Sequence, residues 1–81
     1  MTTKTYNGWA NRATWNVVLW LGNDKGLYNM VRAFKRSKAG RLNGADAESF
    51  VRGLWPDGKT PDGDNLDAVR WGAVAADIRS L

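Results

Sequence analysis

The segment from Trp9 to Leu21 constrains the fold of this chain more than any other. It gathers three of the five tryptophans, Trp9, Trp15 and Trp20, beside Val17, Val18, Leu19 and Leu21. A fully buried aromatic side chain removes roughly 150–250 Å² from water. Three such rings amount to a large share of the core that a chain of 81 residues can build. Asn11, just before the run, is a good helix N-cap, because its side-chain oxygen can accept from a backbone N–H two or three residues on. Thr14 is a rival cap that would start the helix one turn later. Gly22 stands where a left-handed residue commonly ends a helix. The core Val-Val-Leu-Trp-Leu is also compatible with a buried strand, but the cap and the glycine favour helix. On that helix Trp15, Val18, Leu19 and Gly22 share one face, and Val17, Trp20 and Leu21 another. A short helix with so much apolar circumference is expected to be buried on several sides.

The remaining elements follow from local signals. Asn23 is a candidate cap for a second helix over about 24–38, with Asp24 at its positive end. Leu27, Met30 or Val31, and Phe34 give it an amphipathic stripe, and Gly40 is a plausible stop. Asn43 with Asp46 three residues later has capping-box spacing for a third helix. Its apolar face is Ala47, Phe50, Val51 and Leu54, and Pro56 ends it. Pro-Asp-Gly then occurs twice, at 56–58 and 61–63, and each copy reads as a turn. This stretch is expected to be the most exposed part of the chain. A fourth helix falls within Asn65–Leu81, with Trp71, Val74, Ile78 and Leu81 on one stripe. Leu66 and Val69 belong either to it or to a short preceding segment. The expected fold is therefore one mainly α domain over residues 1–81, of about four short helices, with a possible short N-terminal strand. The alternative is α+β, with residues 2–6 paired to 66–70. The expected core is Trp9, Trp15, Val18, Leu19, Leu27, Val31, Phe34, Phe50, Leu54 and Val74. One tryptophan, Trp55 or Trp71, is expected to stay partly exposed, as an apolar patch suited to an interface or a homodimer.

Composition excludes several function classes. The chain has no Cys and no His. That removes thiolate and imidazole chemistry, the usual general base, and most zinc sites. The alternating acids Asp62, Asp64 and Asp67 lack the ligand spacing of a calcium loop, so they read as solvated turns. Asp46 and Glu48 point in different directions on a helix. No arrangement of residues supports catalysis, and no metal or cofactor is expected. The longest apolar run, five residues, is far too short to span a bilayer, and no secretory signal is evident. A cytoplasmic, soluble protein is expected.

Charge gives the one functional candidate. The net charge is +4, and its distribution is uneven. Lys25, Arg32, Lys35, Arg36, Lys38 and Arg41 occur between residues 25 and 45 without a single acid, whereas four acids face one base between Asp57 and Asp67. Arg32, Lys35 and Arg36 lie at i, i+3 and i+4, on one helical face, and Lys38 and Arg41 continue around its end. Such a patch suits phosphates or an acidic protein surface. It is equally what a solvated helix face with a favourable dipole looks like.

Tyr6-Asn-Gly-Trp9, Asn11, Thr14-Trp15-Asn-Val-Val-Leu-Trp20, Asn23-Asp24 and Leu27-Tyr28 together resemble a family of small phage and mobile-element proteins. The N-terminal signature of that family reads Asn-Gly-Trp-x-Asn-x-x-Thr-Trp-x-Val-x-Leu-Trp. The closing Val69-Arg-Trp71-Gly-Ala-Val74-Ala75 is similar to its Val-x-Trp-x-x-Ile-Ala element. The resemblance covers about the first 28 residues and the last dozen. Arg12 stands where that family often has Tyr. The family's setting implies interference with host defence, and members of this size class include anti-CRISPR proteins. The resemblance thus implies a non-enzymatic inhibitor in the bacterial cytoplasm. Its partner would be a host protein or ribonucleoprotein effector of type I, whose binding or recruitment to target DNA it blocks sterically. A small basic DNA- or RNA-binding regulator is the alternative.

Overall fold

The computed structural model describes residues 8–39 and 41–81. It contains α1 (Arg12–Asn23), α2 (Lys25–Ser37), α3 (Gly44–Leu54), a short 3-10 turn (Leu66–Ala68) and α4 (Trp71–Arg79). The described residues contain no β-strand, and the fold is mainly α. Residues 2–6 lie outside the described residues. The segment 66–70, proposed as their partner, is the 3-10 turn and its exit.

The caps explain where the helices begin. The Asn11 side chain accepts from the Thr14 amide at 2.9 Å, so Asn11, not Thr14, starts α1. Asp24 accepts from the Leu27 amide at 3.0 Å, so the cap of α2 is Asp24 rather than Asn23. A charged carboxylate is the better partner for the positive helix end. One consequence is that α1 runs through Gly22 to Asn23, and Asp24 serves both as its C-cap and as the N-cap of α2. Gly22 therefore stays helical and makes no left-handed stop. Asn43 and Asp46 form the full capping box of α3, with bonds of 2.9 and 3.1 Å. Gly40 lies outside the described residues. Ala39 takes the left-handed conformation after α2, with φ of 51°.

The core is built from Ala13, Val17, Leu21, Val31, Leu42, Ala47, Val51, Leu66, Val69, Val74, Ala75 and Ile78. Val18, Leu27, Phe34, Phe50, Leu54, Trp55 and Trp71 are partly buried against it. Phe34 of α2 and Phe50 of α3 stack with centroids 4.4 Å apart. At Gly44 the start of α3 comes so close to α4 that an added Cβ would lie 3.2 Å from the Gly72 amide nitrogen.

The inward face of α1 differs from the expected one. Trp9, Trp15 and Leu19 are only half-buried and stand outside the buried cluster. The inward face of α1 is Ala13, Thr14, Asn16, Val17 and Leu21. Two polar residues face inward, Thr14 with its hydroxyl bonded to Asn11 and Arg70 and Asn16 with its amide N–H bonded to Asp62, which a count of apolar side chains does not register. Trp55 and Trp71 are both partly buried against the core and keep part of their surface exposed. The Pro-Asp-Gly stretch is largely exposed, as expected, but its acids bond to α1 instead of being solvated. Thr60 within it is buried, and Gly58 and Gly63 make its turns with φ of 79° and 91°.

Candidate functional site

The Pro-Asp-Gly segment shows how most of the acids are used. Asp62 Oδ2 accepts from the buried Asn16 amide at 2.8 Å and from the Trp20 indole N–H at 3.1 Å. These bonds hold the Asp62 carboxyl below its ordinary range. Asp64 accepts from Arg12 Nε at 3.1 Å, so the residue that departs from the resembled signature carries a structural ion pair. Thr14 is fully buried. Its hydroxyl donates to Asn11 at 2.7 Å and accepts from the Arg70 amide at 2.9 Å. Asn11 also donates to the Ala68 carbonyl at 2.8 Å. Arg52 joins Glu48 and Asp67, each at 2.8 Å. The Asp62, Asp64 and Asp67 side chains are thus used as acceptors for donors of the chain. Among the described residues no three metal-ligating side chains converge.

The basic residues are arranged differently. Arg32, Lys35 and Arg36 line a cleft of about 310 Å³ together with Ala39 and Leu81. The Arg32 guanidinium lies 5.8 Å from the centroid of the Tyr28 ring, one turn back on α2. Lys35 donates to the Leu81 carbonyl oxygen. None of the ion pairs among the described residues includes Arg32, Lys35 or Arg36. The rest of the expected patch separates from this cleft. Lys38 lies 3.4 Å from Asp46 Oδ1 and 5.9 Å from the centroid of Phe34. Asp46 is held below the ordinary carboxyl range by its bond to the Asn43 backbone and by Lys38. Arg41 is exposed but does not line the cleft. Helical spacing is enough to group Arg32, Lys35 and Arg36. The capture of Lys38 depends on a partner in α3 and leaves no mark on α2 itself.

A second groove, of about 260 Å³, is lined by Leu19, Trp20, Asn23 and Asp24 at the junction of α1 and α2. Sequence reasoning missed it because it took Leu19 for core. On α4, Asp77 is partly buried, and that burial pushes its carboxyl above the ordinary range. No described helix is long and apolar enough to cross a membrane.

Residues 2–80 match the model of one protein family, DUF7249, described as a family of unknown function. The match includes the middle of the chain, where the phage-family resemblance is silent. Comparison with curated proteins and with solved structures finds no match.

Proposed function

The chain belongs to this family of unknown function, and we propose that it is a non-catalytic binding protein whose contact surface is the cationic face of α2. The observation that carries this reading is the cluster of Arg32, Lys35 and Arg36 around one cleft, with no acid in ion-pair contact. Charge left uncompensated at a surface steers association and selects partners of opposite sign. The lack of Cys and His and the use of the loop acids as structural acceptors support binding over catalysis.

The partner class comes from the signature at Asn7-Gly-Trp9 through Trp20, not from the cleft. On that resemblance the protein is a phage or mobile-element inhibitor acting in the bacterial cytoplasm on a type I CRISPR effector. Charge narrows the way it would act. A cationic face is repelled by the basic channel that holds target DNA, so this face is a poor mimic of DNA. It suits an acidic protein surface of the effector, or nucleic acid already carried by it, and bound there it would block DNA binding or recruitment sterically.

The test is a pull-down of host CRISPR effector subunits with the wild-type chain and with the double variant Arg32→Glu/Arg36→Glu. The wild type should retain a partner and the variant, folded by circular dichroism, should lose it. If no tested effector is retained by the wild type, the inhibitor reading falls.

A further inference from the structure

We infer that the cleft on α2 binds the sugar-phosphate backbone of single-stranded nucleic acid, with a base placed against the Arg32–Tyr28 pair. This deepens the reading of the α2 face as a contact surface. It does not depend on which effector, if any, is the partner.

Arg32 and Arg36 are one turn apart, a rise of about 6 Å, and both line the same recess. A guanidinium presents a rigid planar fork that matches phosphate oxygens two at a time. Lys35 sits between them. Its bond to the Leu81 carbonyl uses one of the three donors of an ammonium group, so two remain for an anion.

Shape comes next. At about 30 Å³ per water molecule, the cleft volume of about 310 Å³ corresponds to about ten waters. A single carboxylate of a protein partner would leave most of it empty. The volume falls at the small end of pockets that take small organic groups, roughly 300–1,000 Å³. Ala39 and Leu81 provide apolar wall, which suits a ribose or a base edge better than it suits an aspartate.

The aromatic feature separates nucleic acid from other polyanions. The Arg32 guanidinium stands 5.8 Å from the centroid of the half-buried Tyr28 ring, so an aromatic ring neighbours a cation that lines the cleft. Bases stack on aromatic rings and on arginine planes without regard to sequence. An acidic peptide gains nothing from such stacking. A duplex keeps its bases stacked inside and gains only the phosphate contacts.

The experiment is fluorescence anisotropy of the intact protein with a labelled oligothymidylate of about twenty nucleotides, the corresponding duplex, and a labelled polyglutamate. Salt is varied between about 50 and 200 mM. Single-strand binding should fall with a logarithmic slope near −2, from about 0.7 for each of three phosphates. Arg36→Ala should reduce that slope by about 0.7. Tyr28→Leu should weaken single-strand binding several-fold at unchanged slope, and Lys59→Ala, in the Pro-Asp-Gly loop and outside the cleft lining, should change neither. Binding of polyglutamate as tight as that of the oligonucleotide would overturn the inference in favour of an acidic protein partner. Equal loss of slope in Lys59→Ala and Arg36→Ala would reduce it to net charge, and no wild-type binding at about 50 mM salt would also overturn it. Failure of the effector pull-down with intact oligonucleotide binding would remove the inhibitor reading alone.

Discussion

Two leucines separate the observed core from the one suggested by apolar content. Leu66 opens the short 3-10 turn that precedes α4 and is fully buried. Leu19 lies within the most apolar run of the chain and lines an open groove. Leu66→Ala deletes three carbon groups at about 0.8 kcal/mol each, or about 2.4 kcal/mol, before the cavity is counted. With a cavity term the cost rises to about 3–4 kcal/mol, inside the range for buried leucines. A domain of 81 residues has a total stability of about 4–12 kcal/mol, so this one change removes a large fraction. Its unfolding entropy near 60 °C is about 0.17 kcal/mol/K, from about 2.1 cal/mol/K per residue. The melting temperature should therefore drop by roughly 18–23 °C. Leu19→Ala removes the same atoms from a half-solvated site, should cost about 1 kcal/mol, and should shift melting by about 6 °C. Thermal and guanidinium unfolding of the two variants measure both values. If Leu19→Ala proves as damaging as Leu66→Ala, then the inward face of α1 has been placed wrongly.

Three other substitutions probe particular contacts. Gly44→Ala should destabilise by about 1–3 kcal/mol through overpacking, because its Cβ meets backbone of α4 at 3.2 Å; a raised melting temperature would show that the two helix starts can separate freely. Asp62 has a folded pKa below its ordinary 3.8, so its contribution to stability is present above that pH and is lost as pH falls through the folded value. Asp62→Asn should flatten the acid limb of the stability curve and shift Trp20 fluorescence, and an unchanged acid limb would dissociate Asp62 from α1. Asp77 behaves in the opposite sense. Its carboxyl is pushed above 3.8 by burial, so stability is lost as pH rises from there through the folded value. Asp77→Asn should raise the melting temperature at pH 7, with the gain vanishing below about pH 4; a gain that persisted in acid would mean that burial of the charge is not its source.

Short-range signals were the legible part of this fold. Asn11 and Asn43 are capping residues because their side chains satisfy amides three positions away, and such spacings are written in the chain. The four helices and the grouping of Arg32, Lys35 and Arg36 are legible on the same ground. The orientation of α1 was not. Apolar residues cover most of its circumference, so periodicity gives several equivalent phases. The phase taken turns Thr14 and Asn16 inward, where they bond to Arg70 and Asp62, far away in sequence. The contact to Asp62 ties an exposed loop to α1. Pro-Asp-Gly reports a turn and says nothing about what the turn's acids will touch.

The stitching of α1 to residues 62–70 also sets an order on folding. Helical domains usually assemble from neighbours in sequence and so fold quickly. Here the first helix obtains its inner hydrogen bonds across separations of 46 and 56 residues. On the ribosome, at about 5–20 residues per second, roughly 2–10 s pass between emergence of Asn16 and of Asp62. Through that interval α1 has α2 to pack against but lacks its cover from residues 62–70. The nascent chain must hold the uncovered side of α1 out of aggregation until its last third arrives, and α1 closes the fold although it is made first.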